Sequence, residues 1–315
     1  MLAAMIQVKN LTKRYPGVTA VDQLSFNVQK GEICGLLGAN GAGKSTTMRI
    51  LAGYIPANEG HATVAGFDVF KDSLEVRRRI GYMPENVPLY TDMRINEYLE
   101  FRAALKGVPR KERRERIEWV KQQCGLSEVG KKIIGHLSKG YRQRVGLADT
   151  LVHDPELIIL DEPTIGLDPN QIRQVRELIR DLGKHRTVLL STHILPEVEM
   201  TCSRVIIINR GKIIASDSVE RLKQLRRGGG ETVVEVRADA AAVRSEFAAI
   251  ADVQNVETEP ASGGYVRAVV HPKADQDLRE PVSEKARRMN WGLRELTRRS
   301  QTLEDIFVQL TTEDD

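Results

Sequence analysis

A glycine-rich loop near the start of the chain carries the clearest signal for chemistry. The stretch GANGAGKST lies between an apolar run, GEICGLL, and a helical pattern, TTMRILAGY. A strand, a glycine-rich turn and a helix in this order allow backbone N–H groups and a helix N-terminus to surround phosphate groups. Lys44 would pair with the β- and γ-phosphates, and the Ser45 hydroxyl would bind Mg²⁺. The predicted nucleotide-binding residues are Gly38, Ala39, Asn40, Gly41, Ala42, Gly43, Lys44, Ser45 and Thr46.

Two carboxylates and a histidine follow later apolar runs. In LIILDEP, a buried strand leads into Asp161 and Glu162, and in LLSTHIL a second strand leads into His193. Ligands of open α/β sheets bind at the carboxyl ends of the strands. Asp161 is therefore expected to hold Mg²⁺ directly or through water, Glu162 to orient or deprotonate a water for in-line attack, and His193 to contact the γ-phosphate.

Composition limits the classes of protein that remain. The chain has 315 residues, long enough for two domains, and its net charge of +4 is too small and too dispersed to indicate nucleic-acid binding. The three cysteines are far apart, which argues against metal or disulfide chemistry and fits a reducing cytoplasm. Because no apolar run approaches the length of a membrane span and no basic leader begins the chain, we expect a cytoplasmic protein.

The elements that must position these residues divide the chain. Residues 5–75 are rich in strand patterns, about 92–150 have helical spacing, and 155–215 alternate β-branched runs with helical stretches, as a parallel α/β sheet does. The run RRGGG at 226–230 is typical of a linker. We therefore predict a first domain over 1–226, with a helical subdomain at about 92–150, and a second domain over 227–315.

The segment after the linker has its own pattern. Strand and helix patterns alternate in the order βαββαβ, which predicts a small α+β, ferredoxin-like domain. A final helix is predicted from Thr302 and Asp305, which form a capping box, with apolar residues on one face.

The stretch HLSKGYRQRV, at 136–145, has two interpretations. Ser138 could be an ordinary N-cap of the helix that follows. Alternatively, Ser138 and Gly140 could face a phosphate, which the residues taken alone do not decide.

Several motifs in a fixed order resemble the ATP-binding subunits of ABC transporters over residues 6 to about 220. GANGAGKST resembles the nucleotide loop, LSKGYRQRV the LSGGQ signature, and LIILDEP follows at the usual short distance. By the same resemblance, Tyr15 stacks on adenine, His193 is the switch histidine, and Gly166, Leu167 and Asp168 belong to a loop that crosses a dimer interface. The implied fold is α/β, a P-loop ABC-type ATPase with an antiparallel β lobe and a helical subdomain.

The family also answers the question raised by Ser138. Two subunits pack head to tail, and the signature of one subunit covers the γ-phosphate held by the other. The resemblance gives this role to Ser138, Lys139 and Gly140, although Lys139 replaces a glycine and Tyr141 a glutamine. A second departure is Glu85, at the position where the family carries a glutamine that touches Mg²⁺; we expect Glu85 to retain metal contact.

The resemblance implies an ATP hydrolase that uses ATP and Mg²⁺ and works with a second ATPase subunit and a separate transmembrane permease, at the cytoplasmic face of the cell membrane. The tail, ending in QTLEDIFVQLT, resembles ABC-2-type export ATPases, including drug-export and gliding-motility types. Two alternatives stay open here. One is a soluble ABC-type protein acting on ribosomes or DNA, and the other is a metabolite kinase that uses the same phosphate loop.

Overall fold

The chain forms two units. The computed structural model describes residues 4–224, 231–273 and 276–299. Packing contacts divide the chain into Met1–Val219 and Glu220–Asp315, and each unit is described by itself. The linker predicted at 226–230 and the terminal helix predicted from Thr302 lie outside the described residues, so the domain boundary at 226 stays a prediction.

The first unit contains two sheets and most of the helices. Its strands are β1 (Ala4–Tyr15), β2 (Val18–Gln29), β3 (Ile33–Leu37), β4 (Glu59–Val64), β5 (Phe67–Asp68), β6 (Ile80–Met83), β7 (Leu157–Asp161), β8 (Thr187–Thr192), β9 (Arg204–Asn209) and β10 (Lys212–Ser218). Its helices are α1 (Lys44–Leu51), α2 (Ser73–Arg79), α3 (Ile95–Leu105), α4 (Arg110–Gln123), α5 (Lys139–Leu151), α6 (Pro169–Gly183) and α7 (Leu195–Thr201). Helix α8 (Val219–Gln224) lies at the junction of the units.

The first sheet is antiparallel, with strand order β2-β1-β4-β5. Ile6 and Val8 of β1 are buried while Gln7 between them is exposed, as expected for a strand with one face on the core. Asn10, at a φ of 49°, lies in an irregularity between Val8 and Leu11 that returns Leu11 to the buried face. The antiparallel lobe implied by the resemblance is therefore present.

The second sheet is parallel except at one edge and carries the predicted chemistry. Its order is β10-β9-β3-β8-β7-β6, and only β10 is antiparallel to its neighbour. All residues of β7 and β8 are buried, as expected when helices cover both faces of a sheet. Because β3, β8 and β7 are adjacent, the loops that follow them meet at one edge of the sheet.

Helices α3, α4 and α5 form the helical subdomain between β6 and β7, within the predicted range of about 92–150. A buried carboxylate, Asp149 of α5, joins α3 to α5. Its Oδ1 accepts a hydrogen bond from Arg102 Nε at 2.8 Å and lies 3.1 Å from Lys106 Nζ. The two cations lower the pKa of Asp149 despite its burial, so the carboxylate stays charged and paired at neutral pH.

The second unit has the predicted order βαββαβ. It comprises β11 (Glu231–Arg237), α9 (Ala240–Ala248), β12 (Val253–Ala261), β13 (Tyr265–Pro272), α10 (Arg279–Arg288) and β14 (Gly292–Arg299). Its sheet has the order β12-β13-β11-β14, and all neighbouring strands are antiparallel. The core lies between this sheet and the helices, with Val234, Phe247, Val270 and Val282 fully buried.

His153, just after α5, links the helical subdomain to the parallel sheet. Its Nε2 lies 2.9 Å from the carbonyl oxygen of Ile80, so Nε2 carries the proton and donates. Its Nδ1 is buried and has no hydrogen-bond partner in the described part of the chain. Burial, reinforced by the positive charge of Lys106, lowers the pKa of His153 to about 4.

The depressed pKa predicts a pH-dependent loss of stability. An unfolded histidine takes up a proton below a pH of about 6.5, whereas His153 in the fold stays neutral until a pH of about 4. Between those values the unfolded state binds more protons, and this single group should lower the free energy of unfolding by about 2 kcal/mol from pH ~7 to pH ~5. Urea unfolding curves at the two pH values measure the change. His153→Gln keeps a donor for Ile80 without titrating and should lose that share of the pH dependence; an unchanged dependence would refute the assignment.

Candidate functional site

The phosphate loop connects the end of β3 to the first residue of α1. Gly41 and Gly43 have φ values of 81° and 106°, in the left-handed region that favours glycine. A side chain at Gly43 would also overlap the carbonyl oxygen of Ala20. The Lys44 ammonium curls over the loop and donates to the carbonyl oxygens of Gly38 at 2.8 Å and Ala39 at 3.2 Å. The Lys44 side chain therefore bridges the loop by binding carbonyl oxygens at its start.

The two carboxylates at the end of β7 face different partners. Asp161 is fully buried, and its Oδ1 accepts from the hydroxyls of Ser45 at 3.0 Å and Ser191 at 2.6 Å. Glu162 turns the other way, with Oε1 3.3 Å from Lys44 Nζ and Oε2 2.9 Å from His193 Nδ1. A φ of 49° at Glu162 produces this change of direction. Asp161, the predicted metal-binding acid, and Glu162, the predicted base, are therefore neighbours in sequence that contact different partners.

A cavity of about 480 Å³ adjoins this network. Its walls include six phosphate-loop residues, together with Glu85, Glu162 and the apolar side chains of Val18, Ala20 and Ile165. Glu85 is half-buried here, which brings it into the same space as Lys44 and Ser45. Tyr15, at the end of β1, is 39% exposed and is not among the described residues that line the cavity. Its stacking on adenine stays a prediction.

The residues present fit a magnesium ion bound together with a nucleotide. Asp161 Oδ2 is buried and has no hydrogen-bond partner among the described residues, while the Ser45 hydroxyl lies beside Asp161 Oδ1. The described parts of the chain contain no cluster of three or more histidine, cysteine or acidic side chains able to hold a metal by themselves. Mg²⁺ needs no such cluster, because it keeps several waters and takes phosphate oxygens as ligands.

The signature residues lie at the start of α5 and are not among the described residues that line this cavity. Ser138 caps the helix by accepting from the backbone N–H of Tyr141 at 3.4 Å. A Cβ added at Gly140 would overlap the side chain of Gln171 in α6, and one at Gly166 would overlap Lys139. The signature therefore packs on the loop of Gly166, Leu167 and Asp168 in its own chain. Its contact with a phosphate of a second chain stays a prediction.

Ser191 is a site residue that the sequence motifs do not predict. Its hydroxyl donates to Asp161 Oδ1 and accepts from the backbone N–H of Glu162 at 3.0 Å. The signal was present, because a serine interrupts the apolar run TVLL two residues before His193. A serine near a strand end is common, so Ser191 can be assigned to the site only when β8 is known to lie beside β7.

Comparison with known proteins identifies the family. Residues 21–165 match the model of the family described as ABC transporter. The chain is 35% identical over 311 residues to the bacitracin transport ATP-binding protein BcrA of Bacillus licheniformis, with 98% of each chain covered. The chain belongs to the ATP-binding subunits of ABC transporters. This ABC ATPase is also 36% identical over 233 residues to the linearmycin resistance ATP-binding protein LnrL of Bacillus subtilis, with 74% of each chain covered.

Solved structures agree with the family. An ATP-binding subunit of an ABC transporter matches with a TM-score of 0.65 and 30% identity, covering 70% of this chain and 92% of that one. The ATP-binding cassette MJ0796, solved as a dimer in a post-hydrolysis state with ADP and Pi, matches with a TM-score of 0.63 and 25% identity, covering 68% and 98%. The predicted ABC ATPase fold and the ATPase activity are confirmed, and the ribosome, DNA and kinase alternatives are not favoured; the ferredoxin-like character of the second domain stays a prediction.

Lys44 provides the first test of the site in this ABC ATPase. Lys44→Ala removes the cation that faces the cavity, so ATPase activity should be lost and the dissociation constant for ATP should rise about 10- to 100-fold. Turnover and ATP binding measured by calorimetry check both effects. Lys30→Ala removes an exposed lysine and is the matched control, expected to leave both unchanged. Wild-type turnover in Lys44→Ala would disprove the site.

Proposed function

We propose that this ABC ATPase powers a separate membrane permease of the ABC-2 export type. The observation that carries the proposal is the similarity to BcrA, which extends over 98% of both chains and so includes the second unit as well as the ATPase unit. The names of BcrA and LnrL connect those proteins with bacitracin transport and linearmycin resistance. Similarity over the full length favours a similar function, which is to power a permease. The permease would select the transported substrate.

A groove in the ATPase unit is suited to the permease. It has a volume of about 430 Å³ and is bordered by α2, by the start of β6 and by the end of α3. Tyr54, Leu74 and Leu105 line it and are 65%, 68% and 65% exposed. The exposed Arg77 and Arg78 of α2 also line the groove, as do Arg102 and Lys106, which pair with the buried Asp149. Clustered exposed apolar side chains with a charged rim are typical of a protein-binding surface.

No helix within the described ranges is long and apolar enough to cross a membrane. We place the chain at the cytoplasmic face of the cell membrane, held there by contact between this groove and the permease.

The nucleotide is expected in the cavity beside Lys44. The ammonium would exchange its contact with Glu162 for oxygens of the β- and γ-phosphates, and the N–H groups of the loop would bind the remaining charge. Ser45, Asp161 and Glu85 would hold Mg²⁺, which supplies electrostatic stabilisation of the charge that develops on the phosphates.

Hydrolysis needs a base on the far side of the γ-phosphate. Glu162 accepts a proton from the attacking water while the water oxygen bonds to the γ-phosphorus and the bond to the β-phosphate oxygen breaks, releasing ADP and phosphate. His193 holds Glu162 Oε2 at 2.9 Å and so fixes the orientation of this carboxylate. Release of Glu162 from Lys44 frees the carboxylate for the base role when the phosphates arrive.

The signature is proposed to complete the site of a second, identical subunit. The signature residues are not among the described residues that line the cavity of their own chain, which supports this arrangement, as does the dimeric form of MJ0796 named above. Ser138 would donate its hydroxyl and Gly140 its backbone N–H to the γ-phosphate, with Lys139 adding positive charge. No nucleic-acid partner is proposed.

Trapping ATP tests the shared site. Glu162→Gln keeps size and hydrogen bonding but removes the base, so ATP should persist and the variant should elute from a sizing column as a dimer with ATP and Mg²⁺ and as a monomer without nucleotide. Adding Ser138→Arg should abolish the dimer, because the long side chain fills the space needed by the γ-phosphate. ATP binding to the single chain should survive.

Ser127→Arg, another exposed serine of the helical subdomain, is the matched control in the same background and should leave the dimer intact. Loss of ATP binding together with the dimer in Ser138→Arg would show that Ser138 is a local cap.

Charge placed in the groove tests the permease proposal. Leu105→Glu puts a carboxylate among apolar side chains that a partner must desolvate, so co-purification with a co-expressed permease should fall at least about 10-fold, while basal ATPase activity stays unchanged. Met289→Glu, at another exposed apolar position, is the control and should co-purify normally. Equal recovery of the permease with both variants would contradict the placement.

A further inference from the structure

Ser191 contacts both acidic residues of the site with one atom. It is fully buried near the end of β8, where every residue of the strand is buried. Its Oγ donates to Asp161 Oδ1 at 2.6 Å and accepts from the backbone N–H of Glu162 at 3.0 Å. A hydroxyl has one donor and can accept as well, so both interactions are made at once.

The first contact fixes the Asp161 carboxylate. Oδ1 receives two hydroxyl donors, Ser191 at 2.6 Å and Ser45 at 3.0 Å, whereas the buried Oδ2 has no partner in the described residues. Two donors on one oxygen stop the carboxylate from rotating about its last bond. Oδ2 is thereby kept available for a cation or its bound water. Ser45 is itself proposed to bind Mg²⁺, and its hydroxyl would then leave Ser191 as the donor that holds Asp161.

The second contact holds a strained backbone. Glu162 has a φ of 49°, and a residue with a side chain pays about 1–2 kcal/mol to adopt this left-handed conformation. Its N–H is held by Ser191 twice, by Oγ at 3.0 Å and, more loosely, by the carbonyl oxygen at 3.3 Å. This conformation aims the Glu162 carboxylate at Lys44 and His193. The hydroxyl of Ser191 therefore stabilises the orientation from which Glu162 acts.

We propose that Ser191 is a positioning residue that sets the geometry of both the metal-facing carboxylate and the base, an inference that rests on the roles proposed for Asp161 and Glu162. Without the hydroxyl, Asp161 keeps only the donor from Ser45, which Mg²⁺ would take, and Glu162 keeps only the longer backbone bond. Removal should therefore change how the site uses Mg²⁺ and how fast it turns over, and should leave the phosphate loop intact.

The test compares two alanine variants of the same strand. Ser191→Ala should lower kcat about 10- to 100-fold and raise the Mg²⁺ concentration for half-maximal activity, as loss of an outer hydrogen bond to a metal ligand does. ATP affinity measured with EDTA should stay within about twofold of wild type, whereas the gain in affinity on adding Mg²⁺ should shrink.

Thr187→Ala is the matched control, because the Thr187 hydroxyl is also buried in β8 and accepts a backbone N–H, from Gly31 at 3.0 Å. Both variants should lower the melting temperature to a similar extent, but Thr187→Ala should keep the wild-type Mg²⁺ dependence. Identical Mg²⁺ dependence in the two variants would overturn the proposal and leave Ser191 as a structural hydroxyl.

A third variant keeps the proposal testable if Ser191→Ala does not fold. Ser191→Cys is close to serine in size and has a weakly hydrogen-bonding thiol, so it should show a Mg²⁺ shift of the same sign; a wild-type response would overturn the inference. Glu162→Gln distinguishes failure of the proposed base from failure of the positioning role of Ser191. Wild-type turnover in Glu162→Gln would refute the proposed base, whereas an inactive Glu162→Gln with an unaffected Ser191→Ala would refute the positioning role alone.

Discussion

The buried ion pair between Lys44 and Glu162 is the interaction on which the site depends. Both side chains are only about 5–6% exposed, and their charged atoms lie 3.3 Å apart. A buried charge without a partner costs several kcal/mol, so each of these two groups requires the other until a better partner arrives. In the proposed mechanism, the phosphates of ATP are that better partner for Lys44. Binding of ATP and release of the proposed base, Glu162, would then occur in one exchange of partners at Lys44.

The parallel sheet brings together the three loops that form the site, those after β3, β8 and β7. Strands β3, β8 and β7 are neighbours in the parallel sheet, and their carboxyl ends deliver the phosphate loop, His193 and the two acids. Ser191 then ties the end of β8 to the end of β7 through Asp161 and Glu162. A displacement of β8 would therefore move Glu162, Asp161 and His193 together.

Much of this follows from the sequence. The loop from Gly38 to Thr46, the acids of LIILDEP and the parallel sheet were predictable because apolar β-branched runs and glycine spacing are local signals. The partners of those residues were not. Ser191, Val18 and Ala20 reach the site only through the order of the strands, and the packing of Lys139 on Gly166 joins segments about 27 residues apart by a contact with no local pattern. Tyr15 matches a motif position but is not among the described residues that line the cavity, so its stacking on adenine stays a prediction.

The exchange of partners at Lys44 is tested most directly by a crystal structure of the wild-type chain with Mg²⁺ and a non-hydrolysable ATP analogue. We predict Lys44 Nζ at about 3 Å from oxygens of the β- and γ-phosphates, with Glu162 no longer in contact with Lys44 and directed at the γ-phosphate. A structure in which the analogue is bound in the cavity while Lys44 still pairs with Glu162 would contradict the account.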